Sequence, residues 1–225
     1  MQNLRQKPID ICLYGIFFVF LHAIYMDYTM RLVFATNNAH KLQEVRDILP
    51  PTVEVMSLHE IGFEKDIDET GTTLEENSRI KAEEVYQYIK HHPQNKTIDG
   101  VFADDTGLEI SALGGAPGVY TARWAGEPSN EANNRKKALT KLAGITDRQA
   151  QFRTVVTLIR DGKTEQVEGI VRGTITTEER GEGGFGYDPV FAPEGYDHTF
   201  AELPAETKNS ISHRARAIHA LCAIL

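Results

Sequence analysis

Hydrophobic and polar positions from residue 30 onward predict strands alternating with amphipathic helices. Short runs of apolar and β-branched residues, bounded by Asn, Pro or Gly, are typical of strands. Such runs lie at residues 31–36, 53–58, 100–103, 151–160 and 163–173. The last two are joined by Asp161-Gly162, a dipeptide typical of a tight hairpin turn. This order of elements favours one α/β domain.

Apolar residues at spacings of three and four predict helices with one buried face. The first helix should end at Pro50-Pro51, and the second should begin at a capping box over residues 73–76. A third helix is predicted over residues 129–143 and a fourth at the C-terminus. The expected buried positions are Leu42, Val45 and Leu49; Ile80, Val85 and Ile89; Leu139 and Leu142; and Ile211, Ala215, Ile218 and Cys222.

An apolar run at residues 11–26 precedes this domain and follows Arg5 and Lys7. It resembles the start of a signal peptide, but no small-residue cleavage site follows it. It is also shorter than the roughly 18 apolar residues of a membrane-spanning helix. Because a strand–turn–helix unit opens directly after Met30, we expect residues 1–29 to lie outside the working domain. Residues 30–225 are predicted to form that single domain, without membrane attachment.

Charge and cysteine content narrow the class of protein further. Lys and Arg number 24 against 32 Asp and Glu, which gives a formal net charge of −8. Sequence-independent binding to duplex nucleic acid needs a basic face, so we expect no such partner. The cysteines, Cys12 and Cys222, form neither a zinc motif nor a disulfide framework. This usage is typical of a reducing compartment, and we expect a cytoplasmic protein.

Three carboxylates stand where they could bind a metal ion. Glu69 precedes a helix start, while Asp104 and Asp105 are expected in a turn after the apolar residues 101–103. Loop carboxylates beside Gly are oxygen ligands that Mg²⁺ prefers, together with substrate phosphates. A solvated turn remains the alternative for this D-D-x-G motif.

Two lysines are candidates for binding an anion. Lys41 lies in the first turn of the first helix, and a helix N-terminus is an anion site. Thr36, Asn38 and Lys41 could then hold phosphate oxygens. Lys81 could reach over a cleft if Ile80 points elsewhere on the second helix. A helix cap with solvated lysines is the alternative.

A glycine-rich loop and the last helix could bind a nucleobase. Glycines on either side of Phe185 leave one face of its ring open for stacking. His213 and Arg214 lie outside the apolar stripe of the C-terminal helix and are predicted, with Lys208, to line its edge. A buried Phe185 and solvated basic residues are the alternative. Neither a P-loop nor a zinc-deaminase motif occurs in the chain.

Taken together, these motifs resemble the inosine/xanthosine triphosphate pyrophosphatase family. The matching segments are residues 36–38 with Lys41, 69–73 with Glu76, Asn77 and Lys81, 103–108, 115–119 with Ala122 and Arg123, 184–189 and 212–214. The resemblance extends from about residue 30 to the C-terminus. It implies an α/β fold with an elongated mixed β-sheet and flanking helices, in two lobes around a central nucleotide-binding cleft. It also implies a homodimer.

The resemblance further implies the roles of individual residues. Glu69 and Asp105 would bind Mg²⁺, with Asp105 also activating the attacking water and Asp104 supporting it. The implied substrate-binding residues are Thr36, Asn37, Asn38, Lys41, Lys81, Thr106, Phe185, Gly186, Tyr187, Asp188, Lys208, His213 and Arg214. Thr106 and Thr121 stand where the family usually has Ser, and Trp124 where it has Tyr. The threonines keep the hydroxyl, so we expect retained activity.

The implied reaction is hydrolysis of ITP, dITP or XTP to the monophosphate and pyrophosphate. One alternative is a Maf-type nucleotide pyrophosphatase, against which segments 184–189 and 212–214 argue. A non-catalytic nucleotide-binding module is another, although it would not need Glu69, Asp104 and Asp105 together. A membrane-tethered variant using residues 11–26 is the third.

Overall fold

The computed structural model describes residues 29–225, which form a mixed α/β fold. The predicted apolar run at residues 11–26 lies outside the described residues, as does Cys12. The strands are β1 (Met30–Phe34), β2 (Val53–Met56), β3 (Gly100–Ile110), β4 (Pro117–Gly118), β5 (Gln149–Arg160), β6 (Lys163–Ile175) and β7 (Phe191–Pro193). The helices are α1 (Ala39–Ile48), α2 (Leu74–His91), α3 (Glu131–Lys141), α4 (Ala205–Ile211) and α5 (His213–Cys222). Within residues 29–225, no helix has the length and apolar character needed to span a membrane.

One seven-stranded mixed sheet organises the fold, in the order β2-β1-β3-β5-β6-β7 with β4 beside β3. Strand β1 is parallel to β2 and β3, whereas β3, β5 and β6 are antiparallel to one another. The β5–β6 hairpin closes at Asp161-Gly162, where both residues have positive φ angles of 51° and 74°. The predictions of a mixed α/β fold and of this hairpin turn are confirmed.

The prediction that Asp104 and Asp105 lie in a turn is wrong. Strand β3 continues past Ala103 to Ile110, and it pairs with β5 along its full length. Asp and Gly are common in turns, which is why the local sequence suggested one. The neighbouring strand supplies hydrogen bonds to this segment, and such long-range pairing outweighs local preference.

Side chains of β1 alternate between the two faces of the sheet and anchor two apolar clusters. Leu32 and Phe34 pack with residues of α1 and α5, while Val33, and Ala35 directly after the strand, pack with residues of α2. A third cluster lies at the far end of β3, β5 and β6, under α3 and β7. The cores therefore form two lobes, and β3 runs from one to the other.

The C-terminal segment forms two helices where the apolar pattern predicted one. Ser212 ends α4, and its side chain accepts a hydrogen bond from the backbone N–H of Ala215 at the start of α5. His213 and Arg214 are buried on α5 together with the predicted positions Ala215 and Ile218. The prediction that these two basic residues lie outside the buried stripe is wrong.

The buried face of α2 also differs from the apolar pattern. Asn77, Lys81 and Val85 share this face at i, i+4 spacing, whereas Ile80 is only half-buried. The N-terminal half of α2 faces the polar middle of β3 and β5, where the Ser78 hydroxyl hydrogen-bonds to Thr157 Oγ1. The capping box at the start of α2 is confirmed.

Candidate functional site

A cleft of about 300 Å³ lies between the two lobes and gathers most of the predicted site residues. Those lining it are Asn38, Lys41, Glu69, Lys81, Asp105, Thr106, Phe185, Gly186, Tyr187, Asp188, Lys208, His213 and Arg214. Thr36, Asn37 and Asp104 do not line it. A larger concavity of about 670 Å³ lies at the ends of β3, β5, β6 and β7 and contains none of these residues.

Asp104 lies behind the cleft wall and balances two cations. Its Oδ1 accepts a hydrogen bond from Lys41 Nζ at 2.9 Å, and its Oδ2 lies 3.3 Å from Arg214 Nε. Burial raises the pKa of the Asp104 carboxyl, but the positive charges of Lys41 and Arg214 outweigh it and hold the pKa well below its usual range. Asp104 is therefore a buried, permanently charged anchor.

Asp105 faces the opposite side of β3 and enters the cleft. Lys81 Nζ lies 3.1 Å from Glu69 Oε1 and 3.6 Å from Asp105 Oδ1, so one ammonium joins the two carboxylates. Asn77 Nδ2 also donates to Asp105 Oδ2 at 3.3 Å. Burial raises the pKa of Asp105, and nearby Glu69 and Asp104 add to this, whereas Lys81 and Lys41 lower it. The neighbouring carboxylates thus differ, with the pKa shifted down in Asp104 and up in Asp105.

Glu69 and Asp105 both contact the Lys81 ammonium, so their carboxylates lie in the same part of the cleft. Mg²⁺ is commonly held by one or two carboxylates and completed by water and substrate phosphates. Within residues 29–225, no group of three or more His, Cys, Asp or Glu side chains is placed to hold a metal ion. A two-carboxylate set therefore fits Mg²⁺ bound together with a phosphate ligand.

The N-terminus of α1 contributes Asn38 and Lys41 to the cleft lining. The Asn38 side-chain oxygen caps this helix, accepting from the backbone N–H groups of His40 and Lys41 at 2.9 and 3.1 Å. Thr36 Oγ1 accepts from the Asn38 N–H at 3.2 Å, and Asn37 is exposed. Burial lowers the pKa of Lys41, although its partner Asp104 opposes this. These residues fix a cationic helix N-terminus beside the carboxylates.

Phe185 lies beside the N-terminus of α1 in the cleft. Its backbone N–H donates to Asp188 Oδ2 at 2.8 Å, and Lys208 Nζ donates to the same oxygen at 2.8 Å. Lys208 Nζ lies 4.7 Å from the centre of the Phe185 ring, and the His40 ring stacks on it at 5.5 Å. Phe185 is half-buried. The ring is thus held in place by the charged residues around it.

Glu44 belongs to this network and was not singled out from the sequence. Its carboxylate accepts from Lys208 Nζ at 2.7 Å and also pairs with Arg214. Burial raises the pKa of Glu44, but Arg214 and Lys208 outweigh it and hold the pKa low. The one sequence feature that could have pointed to Glu44 is its position one helical turn after Lys41, on the same face of α1. Its ion pairs with Lys208 and Arg214 join α1 to two helices that are distant from it in sequence, so no local sequence pattern indicates them.

His213 is buried against the Phe152 ring, with ring centres 4.6 Å apart and nearly parallel. Burial lowers the pKa of His213 well below its usual value, and the charges of Arg214 and Lys208 add to the shift. Its Nδ1 atom is buried without a hydrogen-bond partner among residues 29–225, while the residue lines the cleft. The lowered pKa favours the neutral form of the ring.

Fold and site together define an α/β protein with a cleft lined by basic side chains, carboxylates and an aromatic ring. The chain belongs to the Ham1 family, whose model matches residues 32–224. The resemblance identified from the sequence motifs is thereby confirmed.

Individual relatives agree with this assignment. The chain is 51% identical over 191 residues to the dITP/XTP pyrophosphatase of Porphyromonas gingivalis, which covers 84% of this chain and 93% of that protein. It is 46% identical over 196 residues to the dITP/XTP pyrophosphatase of Flavobacterium johnsoniae, covering 87% and 98%. The structure of the Staphylococcus aureus Ham1 protein aligns with a TM-score of 0.76 at 40% identity, covering 86% of this chain and 97% of that one.

Proposed function

We propose that this protein hydrolyses deaminated purine nucleoside triphosphates, ITP, dITP and XTP, to the monophosphate and pyrophosphate. The observation that supports this most strongly is the contact of Lys81 with both Glu69 and Asp105 in the cleft that also holds Phe185. Carboxylates, lysines and an aromatic ring in one cleft suit a metal-bound nucleotide. The name shared by the curated relatives supports the same reaction.

In the proposed reaction, a water oxygen bonds to the α-phosphorus, and the bond from that phosphorus to its bridging oxygen breaks. Asp105 takes the proton of the water, and pyrophosphate leaves with the bridging oxygen. Mg²⁺ held by Glu69 and Asp105 would supply positive charge to the phosphate oxygens. Lys41 and Lys81, with the capped N-terminus of α1, would hold the triphosphate in line for attack.

Base selectivity is proposed to arise at position 6 of the purine, above Phe185. Hypoxanthine and xanthine carry an oxygen acceptor there, which Arg214 and neutral His213 can satisfy. Adenine carries an amino donor, which would face these donors and leave them unpaired. Guanine shares the oxygen at position 6, so discrimination against it must act at position 2.

We also propose that residues 30–225 act as one domain, that the enzyme is a homodimer and that it works in the cytoplasm. The family resemblance supports the dimer, and the few cysteines support a reducing compartment. The mixed sheet supports a single domain, because β3 runs through both lobes. Light scattering of purified protein would test the dimer, since a monomer at working concentration contradicts it.

The deciding experiment measures pyrophosphate release from dITP, XTP, dATP and dGTP with Mg²⁺. We compare the native chain with Asp105→Asn and with Asp161→Asn, a matched change in an exposed turn outside the cleft. We expect rapid release from dITP and XTP only, lost in the first variant and kept in the second.

Each other outcome has a definite meaning. Selective turnover that survives Asp105→Asn assigns water activation to Asp104 or Glu69. Tight dITP binding without release from any substrate contradicts the enzyme proposal and leaves a nucleotide-binding module. Turnover of pyrimidine or methylated nucleotides instead supports the Maf-type alternative.

A further inference from the structure

Five lysine and arginine side chains line the cleft within residues 29–225, and four of them form ion pairs with carboxylates. Lys41 pairs with Asp104, and Lys81 pairs with Glu69 and Asp105. Lys208 and Arg214 share Glu44 and pair further with Asp188 and Asp104. The fifth is Arg123.

The Arg123 guanidinium has no carboxylate partner among the described residues. Within residues 29–225, the guanidinium forms a cation–π contact with the ring of Tyr120, whose centre lies 5.6 Å from Arg123 Cζ. Tyr120 is 53% exposed, and Arg123 itself is half-buried. Glu131 also lines the cleft but forms no ion pair with Arg123. Among the described residues, the cleft therefore contains one positive charge without a carboxylate partner.

The backbone around Arg123 is fixed from three directions. Thr121 Oγ1 accepts from the Leu108 N–H of β3 at 2.8 Å, and the Thr121 carbonyl accepts from the Tyr187 hydroxyl at 3.1 Å. Buried Asn134 of α3 holds the other side, accepting from the Ala125 N–H at 2.6 Å and donating to the Ala122 carbonyl at 2.8 Å. Arg123 thus extends from a turn whose backbone is held on both sides, and its guanidinium makes no hydrogen bond to any residue from 29 to 225.

A rigid turn with an unpaired guanidinium is suited to bind phosphate. A planar guanidinium donates two parallel hydrogen bonds to phosphate oxygens, and little motion has to be frozen when its backbone is already held. The four paired cations must share their charge with carboxylates, so they neutralise a triphosphate only in part. An arginine without a carboxylate partner can direct its whole positive charge toward a bound phosphate.

We propose that Arg123 binds the phosphate chain of the nucleotide, as a substrate-binding residue beyond those identified from the sequence. This inference rests on the proposed function, because it names a further contact for the same substrate. It assigns Arg123 to the phosphates and not to the base, so its loss should weaken phosphate binding without changing base preference.

The test uses inorganic pyrophosphate as a base-free probe, titrated with Mg²⁺ into the full chain by calorimetry. Arg123→Gln should raise the Kd for pyrophosphate about 10- to 100-fold, as expected for a lost charge-assisted contact. Arg123→Lys should recover part of this loss, because a point charge replaces the planar fork. Arg79→Gln is the matched control, since Arg79 is exposed on α2 outside the cleft. Its Kd should equal that of the native chain.

Turnover gives a second, independent readout. In Arg123→Gln we expect the KM for dITP to rise while the ratio of dITP to dATP turnover stays unchanged. An unchanged pyrophosphate Kd overturns the inference. So does an altered base ratio with normal pyrophosphate binding, or a lowered melting temperature that Arg123→Lys fails to restore. Binding of pyrophosphate needs no turnover, so a chain that binds it through Arg123 but releases none from dITP contradicts the proposed function alone.

Discussion

Arg214 Nε lies 3.3 Å from Asp104 Oδ2, although 110 residues separate the two in sequence. Their side chains are only 2% and 1% exposed. This contact joins α5 to β3 and positions Arg214 in the lining of the cleft. Because both charges are buried, each requires the other to remain ionised inside the protein.

Replacing Asp104 should therefore destabilise the fold severely. Asp104→Asn removes the charge that compensates Lys41 and Arg214, and breaking one partner of a buried pair costs about 3–5 kcal/mol. Urea unfolding would measure this loss. Glu54→Gln, which breaks an exposed pair with Arg31, is the control and should cost less than about 1 kcal/mol. Similar losses in both variants would contradict the buried-anchor role.

In contrast to Asp104, replacing Asp105 should not destabilise the fold. Its pKa is raised by burial, so the fold disfavours its charged form relative to the unfolded chain. Asp105→Asn should leave the free energy of unfolding at pH 7 unchanged or higher, although pyrophosphate release is lost. Urea unfolding and the release assay on one preparation measure both properties. A marked loss of stability in Asp105→Asn would show that its carboxylate is structural.

Gly184 should be essential for the geometry around Phe185. A Cβ at this position would overlap Asp188 Oδ2, and the residue has a φ of +73°. Gly184→Ala should displace the Asp188 carboxylate from the Phe185 N–H and raise the KM for dITP. Gly144→Ala is the matched control, since its φ is +75° and no atom lies within 4 Å of the added Cβ.

Both glycine variants share a backbone cost of about 1 kcal/mol, because alanine rarely adopts a positive φ. The difference between the KM values of the two variants therefore reports the effect of the overlap with Asp188 alone. Equal KM values for dITP in the two variants would mean that the Asp188 carboxylate does not position the ring.

His213 should make the stability depend on pH. Its pKa in the folded protein is lowered by burial, while in the unfolded chain it is about 6.5. Below about pH 6.5 the unfolded state binds a proton that the folded state does not, so the free energy of unfolding falls as pH decreases. The slope approaches about 1.4 kcal/mol per pH unit for this one group.

His213→Gln should flatten this dependence, as measured by urea unfolding between about pH 7.5 and about pH 5.5. The matched control is His219→Gln, a change at an exposed position of α5. It should keep the native slope. If the His213 variant retains the same slope as the native chain, another group accounts for the acid sensitivity.

Local patterns predicted the hairpin, the capping box of α2 and the start of α1, because neighbouring residues alone determine each of them. Short motifs also identified most of the residues that line the cleft. The same patterns misplaced Asp104 and Asp105 in a turn, since strand β5 supplies the pairing that keeps β3 extended.

The sequence by itself determined the fold class, the family and the residue types that meet in the cleft, since these depend on periodicity and on motifs of adjacent residues. Only the tertiary structure decided which of these residues form buried ion pairs and which line the cleft. Glu44 neutralises Lys208 and Arg214 from another helix, and Arg123 alone among the cleft's described Lys and Arg side chains stays without a carboxylate partner. Burial and charge pairing arise between elements distant in the chain, so no local pattern encodes them.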